Sequence, residues 1–200
     1  MNKNNLKLVN RDEFLTELSK HSELWDYFKD NIDQEKAVSN EGDMDNEFAI
    51  YRGDITDNIS LNMEAFNMLF IGNIESTLID SDTDDLGWDE GGSLFITGNV
   101  ECDYFNGHYG KTTIIGGDLT VKKVLNCGFQ DSTSFVLGNL PAKFNYIGDT
   151  PFTSLIKTNI ENEFYYGDDA TELRKSIGLS LDNKIDEIEL QERFRELVRK

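Results

Sequence analysis

From Arg52 to Thr150 the chain repeats one short phrase: an apolar run, a glycine, an Asn or Asp, then an aliphatic residue. It reads Phe70-Ile71-Gly72-Asn73-Ile74, Ile96-Thr97-Gly98-Asn99-Val100, Ile115-Gly116-Gly117-Asp118-Leu119 and Val136-Leu137-Gly138-Asn139-Leu140. Shorter echoes stand at Gly53-Asp54-Ile55 and Gly148-Asp149-Thr150. The successive Gly53, Gly72, Gly98, Gly117 and Gly138 lie 19, 26, 19 and 21 residues apart, a period near twenty with one insertion. The second residue after each of the last four is aliphatic (Ile74, Val100, Leu119, Leu140), and the fourth is short (Ser76, Cys102, Val121, Ala142). The residues between them are mostly polar, as in Glu75, Glu101 and Thr120, which is the period-two alternation of a strand with one buried face. Pro141 interrupts that alternation and marks a backbone position without a ladder donor.

A glycine at a fixed place in every copy predicts a corner that needs positive φ or has no room for a Cβ. Asn or Asp beside it suits the same corner, because both bond readily to neighbouring backbone. Each copy is therefore strand, corner, strand, loop. Such a unit cannot bury its apolar face alone, whereas stacked copies share one core. The prediction is a mainly β fold: a parallel β-helix of about four or five coils, each about 4.8 Å from the next. Aligned Asn73, Asn99, Asp118 and Asn139 would form a side-chain ladder along one edge. Short strands with regular turns also suit a β-sandwich or meander, which stays open at this stage.

The repeat resembles the right-handed parallel β-helix of the pectate-lyase-like superfamily more than the strict hexapeptide rhythm of left-handed solenoids. It is also similar to that of bacterial β-helical proteins of unknown or toxin-neutralising, immunity-type role. The resemblance covers roughly half the chain, rests on structural residues and brings no catalytic motif.

Helical patterns flank the repeat. Asn10-Arg11-Asp12-Glu13 has the form of a capping box, followed by Phe14, Leu15 and Leu18 at helical spacing. A second helix is predicted after Ser22, with Leu24, Trp25, Phe28 and Ile32 on one face. Beyond Thr150, Phe152, Leu155, Ile156 and Ile160 suit an irregular final coil or a short helix, and Phe164-Tyr165-Tyr166-Gly167-Asp168 is an apolar-aromatic run ending in a turn. Residues 170–177 read as helical. Asp186 and Glu189 make another capping box, before Leu190, Phe194, Leu197 and Val198 on one face. The expected organisation is an N-terminal helical cap over residues 1–44, a solenoid over 45–150 and a C-terminal helical cap over 151–200. The caps are expected to cover the two ends of the stack, where strand edges would otherwise be open.

Charge changes the picture. The 200 residues carry 38 Asp and Glu against 19 Lys and Arg, a net charge of −19. That argues against nucleic acid, whose phosphates require clustered cations, and against an anionic membrane surface. It fits a basic protein partner. From Gly53 to Gly110 there is no Lys or Arg, while twelve acids occur. Within the longest repeat they concentrate in Asp80, Asp82, Asp84, Asp85, Asp89 and Glu90 around Trp88. Those seven residues are the candidate partner-binding site, with Trp88 as an aromatic anchor among acids.

Asp80, Asp82 and Asp84 alternate as in the first half of an EF-hand loop, and they are the weak candidates for a calcium site. The match then fails, since Asp85 stands where the turn wants Gly and Gly91 where the bidentate Glu belongs. Gly110-Lys111-Thr112 is not a phosphate loop, because Phe105 occupies the place of its first glycine and a strand follows. No G-x-S-x-G or H-E-x-x-H occurs, and His21 and His108 are the only histidines. No catalytic residue and no cofactor is assigned. A calcium-dependent or carbohydrate-active lyase or glycosidase remains the alternative class, and a self-assembling structural solenoid the third. The amino-terminal residues have no apolar export signal and no run reaches eighteen apolar residues, so a cytoplasmic protein, monomeric or a small homo-oligomer, is expected. Cys102 and Cys127 are then expected to be reduced.

Overall fold

A computed structural model describes residues 3–38, 48–60, 65–80, 92–107, 112–127, 133–148, 151–180 and, near the C-terminus, 189, 190, 192, 193 and 196. The fold is mainly β, a solenoid of about five turns. Each turn contributes one strand to each of two parallel sheets. The first sheet holds β2 (Phe48–Arg52), β4 (Asn67–Ile71), β6 (Ser93–Ile96), β8 (Thr112–Ile115), β10 (Thr133–Val136) and β12 (Thr153–Ser154) in that order. The second holds β3 (Ile59–Ser60), β5 (Ile74–Asp80), β7 (Val100–Asn106), β9 (Leu119–Asn126), β11 (Asn139–Ile147) and β13 (Lys157–Tyr165). Parallel pairing thus continues past residue 150 through β12 and β13, so the final irregular coil is the correct reading of that segment.

The register aligns equivalent repeat positions. Ile74 pairs with Val100 and Val100 with Leu119; Ser76 pairs with Cys102 and Cys102 with Val121. These side chains meet Tyr51, Phe70, Ile96 and Ile115 of the first sheet in one continuous core between the sheets. Cys102 is buried in it as a small apolar group, and both cysteines are free thiols. Burial pushes the Cys127 thiol up to about 12.

Crowding, more than φ, requires most of the corner glycines. Gly53 and Gly72 have φ of 124° and 148°. At Gly98, Gly117 and Gly138 a Cβ would instead come within 3.0 Å of the backbone of the coil beneath. The predicted ladder is present beside them. Asp54 Oδ1 accepts from Asn73 N (2.7 Å), Asn73 Oδ1 from Asn99 N (2.9 Å), Asn99 Oδ1 from Asp118 N (2.9 Å), and Asp118 Oδ1 from Asn139 N (2.7 Å). Each side chain therefore fixes the backbone of the next coil.

The N-terminal helices sit elsewhere than expected. α1 (Arg11–Leu18) is capped by Asn10, whose side chain accepts from Glu13 N at 2.9 Å, and α2 (Ser22–Asn31) follows. They lie along the outer face of the first sheet rather than over the end of the stack. Phe14 packs on Phe48 and Phe95, Phe28 on Phe95, and Tyr27 on Phe135, so the pair spans strands from β2 to β10. The reason is the outward row Phe48, Ile50, Leu69, Phe95 and Ile114: the first sheet is apolar on both faces and requires a lateral cover. The first edge of that sheet is paired instead by β1 (Leu6–Val9), antiparallel to β2. Trp25 packs half-buried in this same cluster.

Among the described residues, the second sheet is covered along only part of its outer face. α3 (Gln34–Ala37) belongs to the N-terminal segment, while α4 (Thr171–Ile177) lays Leu173 and Ile177 against Leu78, Tyr104, Val124 and Phe144, joined by Leu190. Buried Arg174 anchors it, donating to Ser180 O and to the Glu189 carboxylate. The residues of the second predicted capping box, and Phe194, Leu197 and Val198 after it, lie mostly outside the described residues; Glu189 and Leu190 are helical.

Candidate interaction surface

The remainder of the outer face of the second sheet is charged. β9 carries one residue more than β7 between the pairs Cys102–Val121 and Tyr104–Val124. The extra residue sets two lysines, Lys122 and Lys123, opposite this stretch of β7, while Tyr104 and Val124 on either side of the shift face α4. Lys122 binds Glu101 and Lys123 binds Asp103 at 2.8 Å, each reaching back one coil. Bonding to those carboxylates raises both ammonium pKa values above the ordinary range, despite some desolvation, and nearby Glu75 adds to the effect at Lys122. The stacked acids of the basic-free segment are thus relieved in part by a pair of lysines one coil further on.

Other cations are similarly engaged. A cleft of about 430 Å³ between β1 and α1 is lined by Lys7, Glu13, Glu17, Lys20 and Arg52. Glu17 takes both Arg52 (2.8 Å) and Lys20 (2.8 Å), and bonding to the two holds its carboxyl below the usual range. Lys7 pairs with Glu13, Lys29 with Asp26, Lys175 with Glu172 and Arg193 with Glu196. With these cations drawn into pairs and acids in twofold excess, the chain presents an acidic exterior.

Of the sequence-predicted site, Asp80 ends β5 in register with Asn106. Asp82, Asp84, Asp85, Trp88, Asp89 and Glu90 lie outside the described residues, as does His108. Among the described residues, no group of three metal-ligating side chains occurs, and no helix is long and apolar enough to cross a membrane.

The feature that reading the sequence did not single out as a site is the last coil. Five large hydrophobic residues are exposed by half or more among the described residues, and four of them lie here: Leu155, Ile156, Tyr165 and Tyr166. They flank β13, which pairs with β11 on one side and forms the edge of the sheet on the other. Glu161, Glu163, Asp168 and Asp169 are exposed among them. Phe152 closes the core beneath by packing on Phe105 at 5.4 Å. The available signal was the pair Leu155-Ile156 and the run Phe164-Tyr165-Tyr166, apolar residues that follow the last Gly-Asp corner of the repeat. No family model, curated protein or solved structure matches the chain, so the surface is read from its own chemistry.

Proposed function

We propose that the protein is a non-enzymatic, acidic interaction protein whose partner is a basic protein. The observation that carries this reading is the last coil, where four exposed apolar side chains lie among Glu161, Glu163, Asp168 and Asp169. Exposed aromatics surrounded by charge of one sign suit a protein interface with an opposite-charged partner, the aromatics supplying contact area and the charge supplying rate and selectivity. The net charge of −19 acts in the same direction over a longer range. An immunity-type role, in which the basic partner is a toxin held inactive, is the form of this reading that the resemblance of the repeat suggests. The acidic stretch around Trp88 remains a second candidate contact on the same grounds of charge.

Affinity capture of the tagged chain from a lysate of its own source cells, washed at rising salt, tests the reading. The expected result is one basic protein at near-equal stoichiometry, released as salt rises. A captured protein that is neutral or acidic, or one equally retained by a chain carrying Glu161→Lys and Glu163→Lys, defeats it.

A further inference from the structure

We propose that β13 is a docking edge at which an extended segment of the basic partner adds to the second sheet as one further strand, with Lys or Arg opposite Glu161 and Glu163. The inference rests on the function proposed above and specifies how the partner is held.

Backbone direction along β13 follows from one bond. Tyr166 N donates to Ile147 O at 3.1 Å, so residue 166 faces β11. Phe164 faces β11 in the same way, and Glu163 and Tyr165 face the open edge; the alternation is interrupted between Ile160, which packs in the core between the sheets, and Phe164, which packs under α4. The C-terminal end of that edge is closed locally: Tyr165 N donates to the Asp168 carboxylate at 2.8 Å, and Asp168 N returns to Tyr165 O at 2.9 Å. Ahead of this plug Glu163 points its N–H and C=O groups toward the open edge, with Glu161 two residues before it. β13 itself runs for nine residues, about 30 Å of strand, long enough to receive a strand of ordinary length.

A bare edge of this kind is a template for a strand, and proteins that do not use one usually shorten, twist or cover it. Here it is long, and its neighbouring apolar residues are exposed rather than buried. Charge complementarity selects the occupant. Residues opposite one another across paired strands interact directly, and like charges there are destabilising. Glu161 and Glu163 therefore favour a strand bearing cations. A second copy is disfavoured: antiparallel registers centred on Glu161, Asn162 or Glu163 set carboxylate against carboxylate, and each chain brings a net charge of −19. End-to-end stacking is disfavoured too, since the opposite edge of the first sheet is β1, which runs antiparallel, and that of the second is the two-residue β3.

The probe is a synthetic peptide, acetyl-Val-Lys-Val-Lys-Val-Lys-Val-amide, followed by fluorescence anisotropy and by amide NMR of the protein. A second peptide of the same sequence carries N-methyl groups on alternate residues, keeping the charge and removing one edge of donors. The protein variant is the pair Glu161→Lys with Glu163→Lys. Expected are shifts confined to β13 and its flanking turns, and binding weaker by about tenfold or more for the N-methylated peptide and for the charge-reversed chain. Equal binding of the N-methylated and parent peptides overturns strand addition while leaving a charge-driven partner in place. No binding of the parent peptide also overturns it. A dimer seen by sedimentation and dissociated by the parent peptide assigns the edge to a second copy and overturns the proposal. Should the charge-reversed chain lose its circular dichroism, the two peptides on the natural chain decide the question.

Discussion

Substituting Gly98 by alanine tests the claim that the repeat glycines exist for close stacking of coils. Gly98 does not have positive φ, so conformational freedom gives it no advantage over alanine. The added Cβ, however, would come within 3.0 Å of Gly72 backbone and of Asn73 Oδ1. To relieve this the third coil must lift off the second at the corner. Four bonds hold it there: Thr97 N to Phe70 O (2.9 Å), Asn99 N to Asn73 Oδ1 (2.9 Å), Ile74 N to Asn99 O (2.9 Å) and Gly72 N to Thr97 Oγ1 (3.2 Å). Weakening two of them loses about 1–3 kcal/mol, at about 0.5–1.5 kcal/mol each, and residual overpacking adds about 1–3 kcal/mol. The expected loss is therefore roughly 2–6 kcal/mol, a large part of the stability of an ordinary domain of about 5–15 kcal/mol. Gly167→Ala is the internal control. That glycine has φ of 87° and open space around it, so only the left-handed backbone is penalised, by about 1–2 kcal/mol. Urea unfolding followed by circular dichroism measures both. The stacking account fails if Gly98→Ala costs no more than Gly167→Ala.

Two further outcomes follow from buried groups. Arg174→Met removes the cation that Glu189 binds, and with it the bond to Ser180 O; it is expected to cost about 3 kcal/mol. Adding Glu189→Leu should restore part of that loss in the same urea assay, and a neutral Arg174→Met would show that α4 is held by its apolar face alone. His21 supplies a pH prediction. Desolvation lowers its imidazole pKa below the ordinary 6.5, against the opposing pull of Glu17. Between 6.5 and the lowered folded value the unfolded chain holds the proton and the native chain does not. Stability should therefore fall as pH drops below about 6.5, and His21→Gln should flatten the melting temperature across about pH 7.5 to 5. An unchanged slope in that variant would assign the pH dependence to other groups.

The repeat itself was legible because the physics of stacking is written locally. Each coil lies directly on the last, so the same position meets the same neighbour every time, and Gly98, Asn99 and Val100 recur as Gly117, Asp118 and Leu119. Strands, ladder, buried Cys102 and the Asn10 cap follow from spacing of a few residues. What the chain could not show in one dimension was which outer faces are covered. Phe14 and Phe48 meet from far apart in the sequence, and nothing local to α1 says whether its apolar stripe closes an end or a side; the outward apolar row of the first sheet decides that. Likewise Lys122 and Lys123 answer Glu101 and Asp103 only because a bulge and a parallel register bring them one coil apart. The acids around Trp88 drew notice as a run, but an edge strand is a property of what fails to pair with it. Leu155, Ile156, Tyr165 and Tyr166 look in sequence like any core residues, and only the tertiary structure, in which β13 forms the edge of its sheet, places them at the surface.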